Sequence, residues 1–533
     1  MRFETAPISF AITYTSSTFP QSALRRPLSR HKEIHMSRSS LVALALITSV
    51  GTLGNPLLAG DDNDQEIPLT AVIQRAPGVG YGSINSALED YCDDISYTGS
   101  TLGDNIRVMR YELSGQATER QVHGVIQGLV AQGLLLRGEA NFTAHEVDGQ
   151  TGSVWVTDLG ATTLAYNNQY AFGRLGFAQA HSRSQGAGVI MAIIDSGVDP
   201  THEAVRGPIT AWQWDFVDND AFPLDAGDGI DNNNDGVIDD GVGHGTYVTS
   251  LVRLAAPDTR LMHLRVLDDE GSSNSFLLAS AIHSAVDHGA DIINVSVSTN
   301  FNSSMIEYAV ARAKAAGVIL IAAMGNDGAP TPSTTEYPAA SPESYAVCAT
   351  DYLDIKGSFS NWGACADFSA CGVSSLSATG DLDLTRSILG AVPGEGYAHW
   401  SGTSLSAALL SGAVALVRAQ YPQWPNAAVP MGAVADTVMG LLAGSADNID
   451  AFNPNYVGLI GVGRVNAGSA VLLGPTAPAL ADLDGNGRID GGDLAMVLSS
   501  WGMCSADSNC LADFDGNGYV DGGDLAVIMA NWG

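Results

Sequence analysis

A run of six apolar residues, Val189-Ile190-Met191-Ala192-Ile193-Ile194, ends on an acid, Asp195. A run this short and continuous reads as a strand buried on both faces, the kind found in parallel sheets. Similar segments recur at intervals. The pattern predicts strands over 188–194, 261–266, 290–296 and 318–324, and helices over 244–254, 275–288, 304–316 and 404–419. Strands that alternate with helices fold as an α/β layer structure, a parallel sheet with helices on both faces. Such sheets carry their sites beyond the carboxyl ends of the strands, so Asp195 falls where a site is expected.

Two further stretches complete a chemical set. His244 sits between Gly243 and Gly245 and opens a helical run. Ser404 precedes the apolar stretch Leu405 to Val417, at a helix N-terminus where backbone N–H groups favour an anion. An acid, an imidazole and a hydroxyl are what nucleophilic acyl transfer needs. Their order along the chain is Asp195, His244, Ser404, one of three orders known for such triads.

Three more motifs fall into sequence with these: Gly289-Ala290-Asp291-Ile292-Ile293-Asn294-Val295-Ser296, Ala322-Ala323-Met324-Gly325-Asn326-Asp327-Gly328, and Gly461-Val462-Gly463-Arg464-Val465-Asn466-Ala467. With them, residues 165 to 472 resemble the subtilisin-like serine proteases. The resemblance implies a subtilisin-like parallel sheet and a serine endopeptidase acting on proteins or peptides. It implies that Asp195, His244 and Ser404 form the triad. Asn326 would be the oxyanion donor beside the Ser404 N–H, and substrate would lie along Ser296-Val297-Ser298. A side chain at Ser298, where the family usually has glycine, implies a pocket for small or medium apolar residues. Tyr247, Ala408, Leu409 and Met324 depart from the family pattern. They leave the triad intact and bear on rate and specificity. Two alternatives stand beside this reading: an inactive subtilase fold, or a surface-assembly protein acting mainly through its tail.

That tail is an internal repeat. Ala481 to Gly502 and Ala512 to Gly533 share Asp-x-Asp-Gly-Asn-Gly-x-x-Asp-Gly-Gly-Asp-Leu-Ala and a closing Trp-Gly. The spacing is that of a twelve-residue calcium loop, which turns positions 1, 3, 5, 7, 9 and 12 inward. The ligands would be Asp482, Asp484, Asn486, the Arg488 carbonyl, Asp490 and Asp493. In the second repeat they would be Asp513, Asp515, Asn517, the Tyr519 carbonyl, Asp521 and Asp524. The duplication, the closing Asp and the single helix after each loop resemble a dockerin of the cysteine-bearing kind. That resemblance implies a small α-helical module, Ca2+, and a cohesin-like or cell-surface partner. A third acidic stretch precedes His244. Its first positions are Asp231, Asn233 and Asp235, and because Val242 occupies position 12, Asp239 or Asp240 would have to close the site.

The remaining organisation follows from composition. Met36 to Ser40 and Leu41 to Val50 form the basic and apolar parts of an export signal, with Met36 as the expected start. The apolar run is too short to span a membrane. Residues 1–60 are therefore assigned to an N-terminal extension and signal, 161–473 to the peptidase, 474–480 to a linker and 481–533 to the tail, while the family resemblance implies that 61–160 form a small α+β propeptide, with a permanent N-terminal domain as the alternative. Within 61–160 a strand over 106–113, a helix over 118–132 and a strand over 134–142 are predicted, with maturation between 142 and 168. The product is expected to be secreted or held at the cell surface, and monomeric. A net charge of −33 argues against nucleic acid and anionic membranes as partners. Six cysteines permit disulfides in an exported chain. Cys504 with Cys510 is the expected pair, and Cys348 with Cys365 or Cys371 a further one.

Overall fold

The computed structural model describes residues 66–99, 105–147, 156–157, 161–234, 236–332, 335–375, 385–394, 396–420, 433–473, 491–504 and 519–530, with 483, 489, 512 and 532. Within them the alternating runs form one parallel sheet. Its order is Ala366–Cys371, Tyr345–Thr350, Ile319–Ala323, Ile292–Val295, Ile190–Asp195, Arg260–Arg265 and Trp214–Asp215. Successive strand residues face opposite sides, and this divides the core in two. Met191 and Ile193 pack with the helices His244–Ala255 and Thr403–Gln420. Ala192 and Ile194 pack with Ser275–Asp287 and Ser304–Ala315. Among the described residues no helix is long and apolar enough to cross a membrane.

Ahead of this sheet lies an antiparallel one, ordered Leu135–Glu146, Glu66–Arg75, Ile106–Leu113, Cys92–Thr98. The helices Tyr81–Leu88 and Glu119–Ala131 share one core with it, around Ile73, Ile84, Met109, Ile126 and Leu129. The strand Leu135–Glu146 then runs on beyond its own sheet. Its last residues pair antiparallel with Ser272–Asn274 on one side and Val297–Ser298 on the other. Two of its side chains meet helix N-termini, where backbone N–H groups lack partners. The Glu139 carboxylate accepts from Ser304 N at 2.8 Å and Met305 N at 3.3 Å. Asn141 Oδ1 accepts from Ser275 Oγ at 3.1 Å and Phe276 N at 3.3 Å.

In the tail each repeat carries one helix after its loop, Gly491–Ser499 and Gly522–Ala530. A short antiparallel pair, Gly502–Met503 with Tyr519–Val520, joins them, so the module is not purely helical. Residues 1–60, the linker 474–480 and Asp482, Asp484, Asn486, Arg488, Asp490, Asp513, Asp515 and Asn517 lie outside the described residues, as does Asp235.

The cysteines require one correction. Cys504 is disulfide-bonded, and Cys510 lies outside the described residues. Cys348, Cys365 and Cys371 are unbridged. Cys348 Sγ contacts Met324 Sδ at 3.3 Å, while Cys365 Sγ turns toward Thr331 Oγ1 at 3.6 Å. These two thiols thus face different neighbours.

Candidate active site

Asp195 is the last residue of its strand, and its Oδ1 accepts from Ser196 N at 2.8 Å. The same oxygen lies 2.7 Å from His244 Nδ1. His244 is the first residue of its helix, and both side chains are buried. Two glycines make this approach possible. Gly243 has φ +105°, a left-handed turn that starts the helix against the strand end. A Cβ on Gly245 would sit 2.2 Å from Gly197 O and 3.1 Å from Asp195 Oδ1, so no larger residue fits.

Ser404 is the second residue of the helix Thr403–Gln420 and is fully buried. Its Oγ makes no hydrogen bond among the described residues. Asn326 follows the strand Ile319–Ala323. Its Oδ1 accepts from Thr403 N at 3.0 Å, which turns the amide nitrogen into the cleft. There Nδ2 donates to the Val147 carbonyl oxygen at 3.1 Å.

Val147 belongs to the continuation of Leu135–Glu146, which occupies the cleft as an extended peptide. Glu146 N donates to Gly271 O at 2.9 Å, and Val147 N to Ser296 O at 3.2 Å. Glu146 is opposite Val297, and His145 is opposite both Ser298 and Ser272. This is strand addition, the way extended peptides bind a sheet edge. The edges are Ser296-Val297-Ser298, as the sequence implied, and Ser272–Asn274, which it did not.

Two residues at the site, Trp400 and Asp225, carried no local sequence signal, and Tyr247 stood out only as a departure from the family pattern. Trp400 meets the His244 ring edge-on, with centroids 5.2 Å apart, and packs the same way on Tyr247. Tyr247 is fully buried and donates to Ile388 O at 2.8 Å, so it serves as support. Asp225 is buried between the two triad elements. It accepts from Ser196 Oγ at 3.0 Å, Gly243 N at 2.7 Å and Thr246 N at 3.0 Å. Burial raises its carboxyl above the usual range, against the pull of those donors. An acid between two helical or strand ends is invisible to motif reading, because its partners lie 18, 21 and 29 residues away.

The acidic loop before His244 contributes to one cluster of carboxylates among the described residues. Carboxylate oxygens of Asp228, Asp239 and Asp269 lie within 4.8 Å of one another. Asp239 was one of the two acids expected to close the site. Asp231 Oδ2 accepts from Gly236 N at 3.0 Å.

The profile of the subtilase family matches residues 186–457. Thermitase from Thermoactinomyces vulgaris is 30% identical over 315 residues, covering 57% of this chain and 96% of thermitase. Subtilisin from Bacillus pumilus is 30% identical over 273 residues, covering 49% of this chain and 88% of that protein. A thermophilic serine proteinase from Bacillus sp. (strain AK1) is 35% identical over 234 residues. That match covers 44% of this chain and about half, 53%, of the relative's length.

Proposed function

We propose, for a chain that belongs to the subtilase family and is a serine endopeptidase, that Asp195, His244, Ser404 and Asn326 do the chemistry and that the first bond cut is its own Val147–Asp148. The observation that carries this is the Val147 carbonyl held at 3.1 Å by the Asn326 amide, at the end of a strand paired on both sides. A substrate peptide in that seat offers its carbonyl carbon to Ser404 Oγ.

In this reading His244 Nε2 takes the Ser404 proton and returns it to the departing amine of Asp148. Asp195 fixes the tautomer through Nδ1 and stabilises the imidazolium that forms. Asn326 Nδ2 stays with the oxygen as it gains charge. Water then releases the acyl group by the same steps. Val147 is medium-sized and apolar, and 5% exposed, which supports the preference inferred from Ser298. Residues 66–147 then act as a propeptide, seated in the cleft until removed.

Calcium fits two places by the chemistry of their donors. Hard cations take several oxygen ligands, and Asp228, Asp239 and Asp269 would supply three on the loop leading to His244. In the tail Asp493 and Asp524 are fully buried carboxylates at the starts of their helices, consistent with closing ligands of the repeat loops. The metal would supply rigidity, not reaction chemistry. Export and a tail that docks on a cohesin-like or surface partner complete the proposal.

Mass spectrometry of wild type and Ser404→Ala tests the core of it. Wild type should yield a chain beginning at Asp148, and Ser404→Ala should stay whole. The same cut in both, or a cut at another bond only, refutes the reading.

A further inference from the structure

An ionised carboxylate beside an imidazole favours the protonated ring. The Glu146 side chain is 3% exposed, and its Oε1 lies 3.9 Å from His244 Nε2. That nitrogen must be unprotonated to take the Ser404 proton. At the other end of the ring, Nδ1 lies 2.7 Å from Asp195 Oδ1. The imidazole therefore has a carboxylate at each end while the cleft is filled. Trp400 lies edge-on to the ring, an apolar wall that limits screening by water.

The seat suits this side chain. Glu146 N donates to Gly271 O at 2.9 Å. Gly271 has φ +68°, and a Cβ there would lie 3.4 Å from Glu146 Oε2 and 3.5 Å from Glu146 Cβ. The carboxylate thus lies against the Gly271 backbone at van der Waals range. His145, the preceding residue, pairs with Ser272 and Ser298 and points to the other face of its strand.

We propose that the subsite between His244 and Gly271 takes an acidic side chain immediately before the scissile residue, and that this carboxylate holds His244 protonated. This rests on the assignment of His244 as the base. It gives the pro-segment a second way to inhibit: it withdraws the base as well as filling the cleft. It also names a substrate class, peptides with Glu before a small apolar residue, whose turnover shifts to higher pH.

The other charged groups on the elements packed here push the same way. Asp225 lies behind Ser196 and Thr246. Asp268, Asp269 and Glu270 precede Gly271 on its loop. Arg265, at the end of the strand before that loop, is engaged by Asp215 and Asp218. An opposite charge favours the protonated ring, so His244 binds its proton more tightly in the filled cleft than in the empty one. The carboxylate 3.9 Å from Nε2 thus works against the burial of the ring and raises the His244 midpoint relative to a neutral side chain in the same seat. The pairing is complete between the pH at which Glu146 ionises and the raised His244 midpoint, and is lost on either side.

Two measurements on the full precursor test this. In Ser404→Ala, the His244 ring is titrated by nitrogen NMR with and without Glu146→Gln. The midpoint should fall in the Gln variant, and equal midpoints overturn the proposal. With Ser404 present, Glu146→Gln should be cut faster below the wild-type midpoint, about tenfold per pH unit of displacement, and equally fast above it. Superimposable pH–rate profiles also overturn it. A wild type never cut at Val147–Asp148 counts against the triad assignment, while the titration reads the pairing without turnover.

Discussion

Exchanging Asn326 for aspartate separates two jobs performed by one side chain. Asn326 Oδ1 accepts from Thr403 N at 3.0 Å, and Nδ2 donates to Val147 O at 3.1 Å. Aspartate keeps the shape and the acceptor but replaces the donor with a second carboxylate oxygen. Losing one such donor costs about 2.7–4 kcal/mol of barrier, a hundredfold to a thousandfold in rate. The added negative charge beside the developing oxyanion pushes in the same direction, so about a hundredfold is the floor. Leucine at the same position removes both functions. It also leaves the Thr403 N–H, buried at a helix start, without its acceptor, at about 1–3 kcal/mol of stability. The assay is the first-order appearance of the chain beginning at Asp148, paired with thermal melting in a Ser404→Ala background. Asn326→Asp should process at least about a hundredfold slower with a melting temperature close to wild type. Asn326→Leu should be slow and less stable. Processing of Asn326→Asp within about threefold of wild type would refute the role, since the lost donor alone predicts far more.

Other outcomes follow from the same geometry. Gly245→Ala puts a Cβ 2.2 Å from Gly197 O and must part the strand end from the helix start. A displacement of about 1 Å in catalytic groups costs roughly a hundredfold, so processing near the wild-type rate would contradict the described approach. Burial pushes the Asp367 carboxyl up to about 6, above its unfolded value near 4. The folded state then binds the proton more tightly than the unfolded one. Stability is full below about pH 4, falls as pH rises to about 6, and is lower by roughly 3 kcal/mol above that. Asp367→Asn should therefore raise the melting temperature at pH 7 and not at pH 4, measured in Ser404→Ala; an equal change at both would dismiss the linkage. Calcium at about a hundred times its Kd should add about 2.7 kcal/mol of stability. Asp239→Asn, which keeps an acceptor for Gly229 N, should lose part of that gain, and a full gain would exclude Asp239 as a ligand.

What the sequence disclosed was the part governed by local burial. Ile190–Asp195 and Ile319–Ala323 read as strands because every residue in them but the half-buried Ile190 is buried. Tyr345–Thr350 and Ala366–Cys371 did not, because alanine, serine and threonine dominate them and carry little apolar signal. Cys92–Thr98 is an edge strand with exposed acids, and Glu66–Arg75 contains Pro68, so neither showed a clean alternation. The relation of Asp195 to His244 was legible through motifs that are themselves steric requirements, as Gly245 shows. The acid cluster was half legible: Asp239 lies in the loop, but Asp269 comes from 30 residues further on. Asp225 and Trp400 were silent for the same reason. Maturation was narrowed only to a window of residues, because a backbone carbonyl such as that of Val147 has no sequence signature until Asn326 is placed against it.

The strand Leu135–Glu146 belongs to two sheets at once. Its first half is held by Glu66–Arg75, within a small domain of residues 66–147, and its second half lies in the cleft. Severing the chain after Val147 removes a tether but leaves the whole strand with the small domain. Occupancy of the cleft then depends on whether that domain is folded, since an unfolded domain cannot present an ordered strand. The apparent affinity is the intrinsic one scaled by the folded fraction. Anything that melts those residues, whether heat, a second cut or a core substitution at Ile126, therefore empties the cleft without touching it.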